Sequence, residues 1–100
     1  MTFIVPDSRI TCFEAKDEYT FLHTEDKAYI FPFTLKELEA RVDPDVFARV
    51  HKSCIVNIES ISSLHKWFGE RLLVKIKEGK EAIVSHTYAA EFKKKIHLKG

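Results

Sequence analysis

Histidine, cysteine, serine and carboxylate side chains do most protein chemistry, and their spacing in this chain fits none of the common catalytic sites. His23, His51, His65, His86 and His97 lack the H-x-x-x-H spacing of a zinc-binding helix, and no Cys-x-x-Cys accompanies them, so no metal is expected. Cys12 and Cys54 form no metal-ligand pair and are expected as small buried hydrophobes in a reducing compartment. No serine lies between glycines as a nucleophile elbow requires. Three glycines, Gly69, Gly79 and Gly100, are too few for a phosphate loop or a dinucleotide fingerprint. Glu14 with Asp17 or Glu18 could form a carboxylate pair, but carboxylates beside a turn are more often solvated charges. Neither enzyme activity nor a cofactor is expected.

What remains is binding. Net charge is only +1, but its distribution is uneven. Residues 1–50 hold six Lys or Arg against ten Asp or Glu, whereas residues 51–100 hold ten against five, together with four of the five His. A bipolar chain can turn a basic face to phosphates and stay soluble, or its two halves can pair within the fold. Lys66, Trp67 and Phe68 offer either a stacking platform for single-stranded nucleic acid or a hairpin tip whose Trp67 caps the core. Period-2 alternation turns one of two adjacent side chains inward and favours the core reading of Trp67.

The elements that must position these residues are mostly strands. One hundred residues with 45% apolar content make one domain with one core, and eight Phe, three Tyr and many β-branched residues favour β structure. Strands are expected over residues 10–14, 19–24 and 28–33, with Pro32 at an edge or strand end because it cannot donate to a ladder. A short helix follows Thr34, which with Glu37 makes a capping box, and Leu35, Leu38 and Val42 share one face. Pro44 ends it, and residues 45–50 are expected to form one more short turn with Phe47 and Val50 inward. Residues 53–57 read as a buried strand, and residues 61–68 and 71–77 as a hairpin about Gly69 and Glu70. A last strand over residues 81–84 precedes a helix carrying Tyr88, Phe92 and Ile96 on one face. The fold class is therefore mainly β: a compact antiparallel domain with a short central helix and a C-terminal helix. No apolar run reaches the roughly 20 residues that span a bilayer, and the N-terminus lacks the pattern of a leader. No membrane partner and a cytoplasmic location are expected.

One stretch is more specific than composition. Phe47, Arg49, His51, Lys52, Ser53, Ile55, Val56 and Asn57, followed by Ile58 and Ile61, fall on the pattern F-x-R-x-H-basic-S-aromatic-I/V-V-N. This resembles the signature of LytTR domains. Three other blocks follow the family's order: residues 10–15 with Tyr19 and Thr20, the helix block Leu35 to Leu38, and Ile83, Val84 and Ser85 followed by Tyr88. The likeness covers residues 4–96. It implies a β fold whose inter-strand loops enter successive major grooves of double-stranded DNA, without a recognition helix. It further implies transcription regulation in bacteria, paired direct-repeat sites, a homodimer on DNA, and a receiver or sensory domain not present in this chain.

The contact residues the resemblance implies are Lys16, Tyr19 and Thr20 in the first loop, His51, Lys52 and Ser53 in the second, and Ser85, His86 and Thr87 in the third. Lys52 and His51 can reach a phosphate or a guanine edge. Arg49 is either a phosphate contact or a solvated rim charge, and Asn57 is expected to close an Asx turn. Lys93, Lys94 and Lys95 should add attraction without sequence preference. The chain departs from the family pattern twice: Cys54 stands where an aromatic is usual, and His86 and Thr87 where a basic residue usually follows the serine. Asp17 and Glu18 would also repel phosphate. The missing basic residue near His86 favours the alternative, a protein-interaction or dimerisation module that kept the fold and lost DNA binding; the ordered block His51, Lys52 and Ser53 favours DNA binding.

Overall fold

The computed structural model describes residues 5–99; residues 1–4, which hold the start of the N-terminus and the first position of the likeness, lie outside the described residues. Among the described residues the order is β1 (Ile10–Lys16), β2 (Tyr19–Thr24), β3 (Ala28–Phe31), α1 (Leu35–Arg41), β4 (Phe47–His51), β5 (Cys54–Asn57), β6 (Ile61–Trp67), β7 (Arg71–Ile76), β8 (Glu81–Val84) and α2 (His86–Lys99). Five strands form one sheet in the order β3-β2-β1-β5-β4, three form a second in the order β6-β7-β8, and every pairing is antiparallel.

In the larger sheet β1, β4 and β5 are covered on both faces. Phe13, Phe47 and Ile55 point to one side and pack with Leu35 and Leu38 of α1. Their chain neighbours Cys12, Ala48 and Val56 point to the other, against Val74, Ile76 and Val84 of the smaller sheet and Ala89 and Phe92 of α2. Two buried faces remove the polar half of a strand's alternation. That is why the short turn expected over residues 45–50 stops at Val46, and residues 47–50 are strand instead. Backbone N–H groups of Val46 and Phe47 donate to the Asp43 carbonyl, and β4 begins immediately, with Phe47, Ala48 and Val50 all buried.

Local signals behaved as their chemistry dictates. Thr34 Oγ1 accepts from the Glu37 N–H at 3.1 Å, and the Glu37 carboxylate accepts from the Thr34 N–H at 2.9 Å, closing the capping box. Pro32 falls just past the end of β3, an edge strand. Asn57 Oδ1 accepts from the Glu59 N–H, which is the expected Asx turn. Its Nδ2 also donates to the Ile10 carbonyl at 2.8 Å and so ties the start of β1 to the end of β5. Trp67 does not cap the core: it is 41% exposed beside the turn joining β6 and β7. β6 is an edge strand, and α2 covers the sheet elsewhere, so the inward half of its alternation has little to pack against. Among the described residues no helix is long and apolar enough to cross a membrane.

β8 lies across the larger sheet rather than along it. Lys80, just before β8, places Nζ 3.5 Å from the Glu14 carboxylate of β1. At the other end, the Ser85 N–H donates to the Val50 carbonyl of β4 at 2.9 Å. β5 stands between β1 and β4, so β8 crosses above it.

Candidate nucleic-acid interface

Two backbone hydrogen bonds bring the three expected contact loops side by side. The Ala15 N–H donates to the Ser53 carbonyl at 2.9 Å, joining the β1–β2 turn to the β4–β5 turn. The bond from Ser85 to Val50 then joins the β4–β5 turn to the start of α2. Residues far apart in sequence thus form one continuous row.

The central turn is held from below by Arg49. Its Nε donates to the His51 carbonyl at 2.7 Å and one terminal nitrogen to the Lys52 carbonyl at 2.6 Å. The other terminal nitrogen meets Glu39 at 3.4 Å, and the guanidinium sits 5.8 Å from the centre of the Tyr88 ring. With a side chain only 14% exposed, Arg49 is a brace for the turn, neither a solvated rim charge nor a free cation for phosphate. A planar fork can satisfy two adjacent carbonyls at once, which an ammonium cannot.

His51 is set by its own loop. The Ser53 N–H donates to His51 Nδ1 at 3.2 Å, and Ser53 Oγ lies 2.9 Å from the same nitrogen. With Nδ1 accepting, the neutral ring carries its proton on Nε2, which makes the outer nitrogen a donor suited to a phosphate oxygen or a guanine acceptor. Lys52, at the tip between them, is exposed. Behind this turn a groove of about 270 Å³ is lined by Cys12, Glu14, His51, Ser53, Cys54 and Lys80.

The flanking loops are less uniform. Lys16 and Tyr19 are exposed, and Asp17 turns the chain between them with φ at 58°. Thr20 is only 8% exposed and lies in the ladder opposite Ala15 and Phe31, beneath the loop rather than at its tip. In the third segment Ser85 is half-buried while His86 and Thr87 are exposed. His86 Nε2 meets Glu70 at 3.2 Å, so the β6–β7 turn adjoins the row at its α2 end. Sequence reasoning did not place that turn there, because the contact joins residues with no motif in common. The lysines of α2 also divide: Lys93 and Lys94 are exposed, but Lys95 Nζ donates to the Phe47 carbonyl at 3.2 Å and serves packing.

Charged groups behind the row are interlocked. His23 Nε2 and Glu14 Oε1 lie 2.9 Å apart, with Lys80 on the same carboxylate oxygen. Burial, helped by the Lys80 charge, holds the His23 ring below its ordinary value. Burial pushes the Glu14 carboxyl up, but the hydrogen bond from His23 and the Lys80 charge outweigh it and hold the group below its ordinary value. Glu14 is therefore an ion-pair partner and not half of a carboxylate pair. Among the described residues no group of His, Cys, Asp and Glu could hold a metal ion.

Comparison with known proteins agrees with this geometry. The family model described as the LytTr DNA-binding domain matches residues 1–97. The solved LytTr DNA-binding domain of a methyl-accepting/DNA response regulator from Bacillus cereus superposes with a TM-score of 0.88 at 32% identity, over 92% of this chain and 84% of that one. The transcriptional regulatory protein YpdB of Escherichia coli K12 is 29% identical over 96 residues, which are 95% of this chain and 39% of that protein. The sensory transduction protein LytT of Bacillus subtilis is 35% identical over 83 residues, 83% of this chain and 34% of that protein. The chain thus spans between a third and two-fifths of the length of these two relatives. With the match running nearly end to end and the fold superposing closely, the chain belongs to the LytTR DNA-binding domain family.

Proposed function

We propose that this chain binds double-stranded DNA with sequence preference, as the DNA-contacting module of a bacterial transcription regulator. The observation that carries the reading is the single row made from residues 16–20, 51–53 and 85–87, with exposed Lys52 at its centre and Arg49 fixing the turn beneath it. In this reading Lys52 and His51 meet bases or phosphates in one major groove, and the flanking segments reach the neighbouring grooves. Lys16, Tyr19 and Thr87 supply direct contacts, while Thr20, Ser53 and Ser85 shape the backbone that presents them. The molecule's longest extent is 34 Å. One turn of B-DNA is about 34 Å, so the domain as a whole matches about one turn of duplex in length.

In this reading a receiver or sensory domain accompanies the module in a longer protein, for which the unmatched length of YpdB and LytT leaves room, and binding to direct repeats as a homodimer would extend the contact along the duplex. The test is selection of bound duplexes from a random-sequence pool, followed by titration of the enriched duplex over a range of salt. A recurring motif is expected, with affinity falling steeply as salt rises, by the counterions that each neutralised phosphate releases. Absence of enrichment, or an affinity flat in salt, would favour the protein-interaction module instead.

A further inference from the structure

The turn between β6 and β7 carries Phe68, the most exposed large apolar side chain among the described residues, next to Trp67. Phe68 is 74% and Trp67 41% exposed. Their rings pack edge to face with centroids 5.3 Å apart, so the pair is a preformed unit and not two loose side chains. Two successive left-handed residues, Gly69 with φ at 67° and Glu70 with φ at 59°, shape the turn, and Arg71 Nε clasps the Phe68 carbonyl at 2.7 Å.

The surroundings of this pair are cationic. A broad hollow beside it is lined by Lys66, Arg71, His86 and Lys93, with Glu70 as its one acidic side chain. Glu70 is already engaged by His86. An apolar protein partner would have to strip water from these cations without replacing it, which is costly. A duplex backbone presents the complementary alternation: anionic phosphates separated by the apolar faces of the sugars. The turn is also continuous with the row, since Glu70 touches His86 of the third contact segment.

We propose that the β6–β7 turn is a fourth DNA contact, in which Phe68 and Trp67 lie against the deoxyribose faces flanking the bases approached by residues 85–87. Lys66, Arg71 and Lys93 take the adjoining phosphates. This contact rests on the DNA-binding reading above and extends it beyond the loops that the sequence pattern marks. It lengthens the footprint on the α2 side, where His86 and Thr87 stand in place of a basic residue.

Trp67 is the chain's single tryptophan, so its emission reports this turn alone. The duplex enriched from the random pool is labelled to follow binding by anisotropy, while acrylamide quenching of Trp67 is measured with and without it. Saturating duplex should shield Trp67 from acrylamide, and Phe68→Ala should weaken binding roughly tenfold, the effect of losing a partly buried aromatic contact. Its salt slope should match the parent's, because no charge is removed. Phe68 is too exposed for its truncation to unfold the domain, which circular dichroism would verify. If the duplex binds but Trp67 stays as open to acrylamide as in the free chain, or Phe68→Ala binds as the parent does, the fourth contact is overturned and the DNA reading stands. If Trp67 becomes shielded by raising protein concentration without DNA, a second copy covers the turn and the inference is wrong. No binding of any duplex would remove both.

Discussion

Arg49 is a cation of the family motif whose hydrogen bonds are spent within the fold. Its guanidinium is committed to the carbonyls of His51 and Lys52, to Glu39 and to the Tyr88 ring, so it converts a short turn into a fixed platform. Charged hydrogen bonds of this kind contribute about 1.5–3 kcal/mol. Arg49→Ala is expected to lower unfolding stability by about that amount in denaturant titrations, and Arg49→Lys to recover little of it. Binding should weaken for all duplexes alike with an unchanged salt slope. A shallower slope for Arg49→Ala would instead make it a phosphate contact. The sequence left the role of Arg49 between two readings, a phosphate contact and a solvated rim charge. Its partners are carbonyls two and three residues away, and backbone carbonyls carry no signature in a residue pattern. Asn57 was easier, because an amide at the end of a buried strand has few local uses and the Asx turn is the commonest.

At the scale of elements, whatever depends on short-range chemistry was legible: the capping box at Thr34 and Glu37, the hairpin turn at Gly69 and Glu70, and the apolar stripe of α2. What failed depended on neighbours supplied by other parts of the chain. β4 looked like a turn because Phe47 and Ala48 are both buried, one under α1 and one under α2, and a strand covered on both faces loses its alternation. Trp67 failed in the opposite sense, since alternation turned it towards a face that is only partly covered. The position of Phe47 gives a direct stability test. It is 2% exposed and packs against Phe13 in a tilted arrangement with centroids 5.6 Å apart. Phe47→Ala is expected to destabilise the fold by about 3–5 kcal/mol; melting together with the parent would mean that β4 does not seal the α1 core.

The joint between β1, β2 and β8 gives the fold a definite response to acid. Neutral His23 is favoured in the folded chain, so the unfolded chain takes up a proton more readily. The stability this contributes is present above about pH 6.5, the reference histidine value, and is lost as pH falls through the lower folded value. Glu14 is also held below its ordinary value, so its contribution is present above about pH 4.3 and is lost on further acidification. The melting temperature should therefore decline from neutral pH downwards in two stages, and His23→Gln should flatten the upper one. An identical profile for His23→Gln would show that the acid response lies elsewhere.

The whole molecule is a pair of crossed sheets that uses the crossing to gather loops. β8 runs over β1, β5 and β4, and that path delivers Ser85 to Val50, next to the β4–β5 turn. Family membership was legible in the chain because the residues that make this joint lie in a few ordered blocks. The row itself was legible only through the resemblance, since its adjacency is made by backbone hydrogen bonds between distant segments. Sequence-preferring contact from the centre of that row is the central claim, and Lys52 is the residue on which it turns. The decisive measurement is the dissociation constant of the parent and of Lys52→Ala for the enriched duplex and for a scrambled duplex of equal length, at one salt concentration. Lys52→Ala should weaken binding to the enriched duplex by about 1–3 kcal/mol and to the scrambled one by less, narrowing the gap between them. Full retention of that gap by Lys52→Ala would contradict the claim and leave the best-matched stretch of the chain as scaffold.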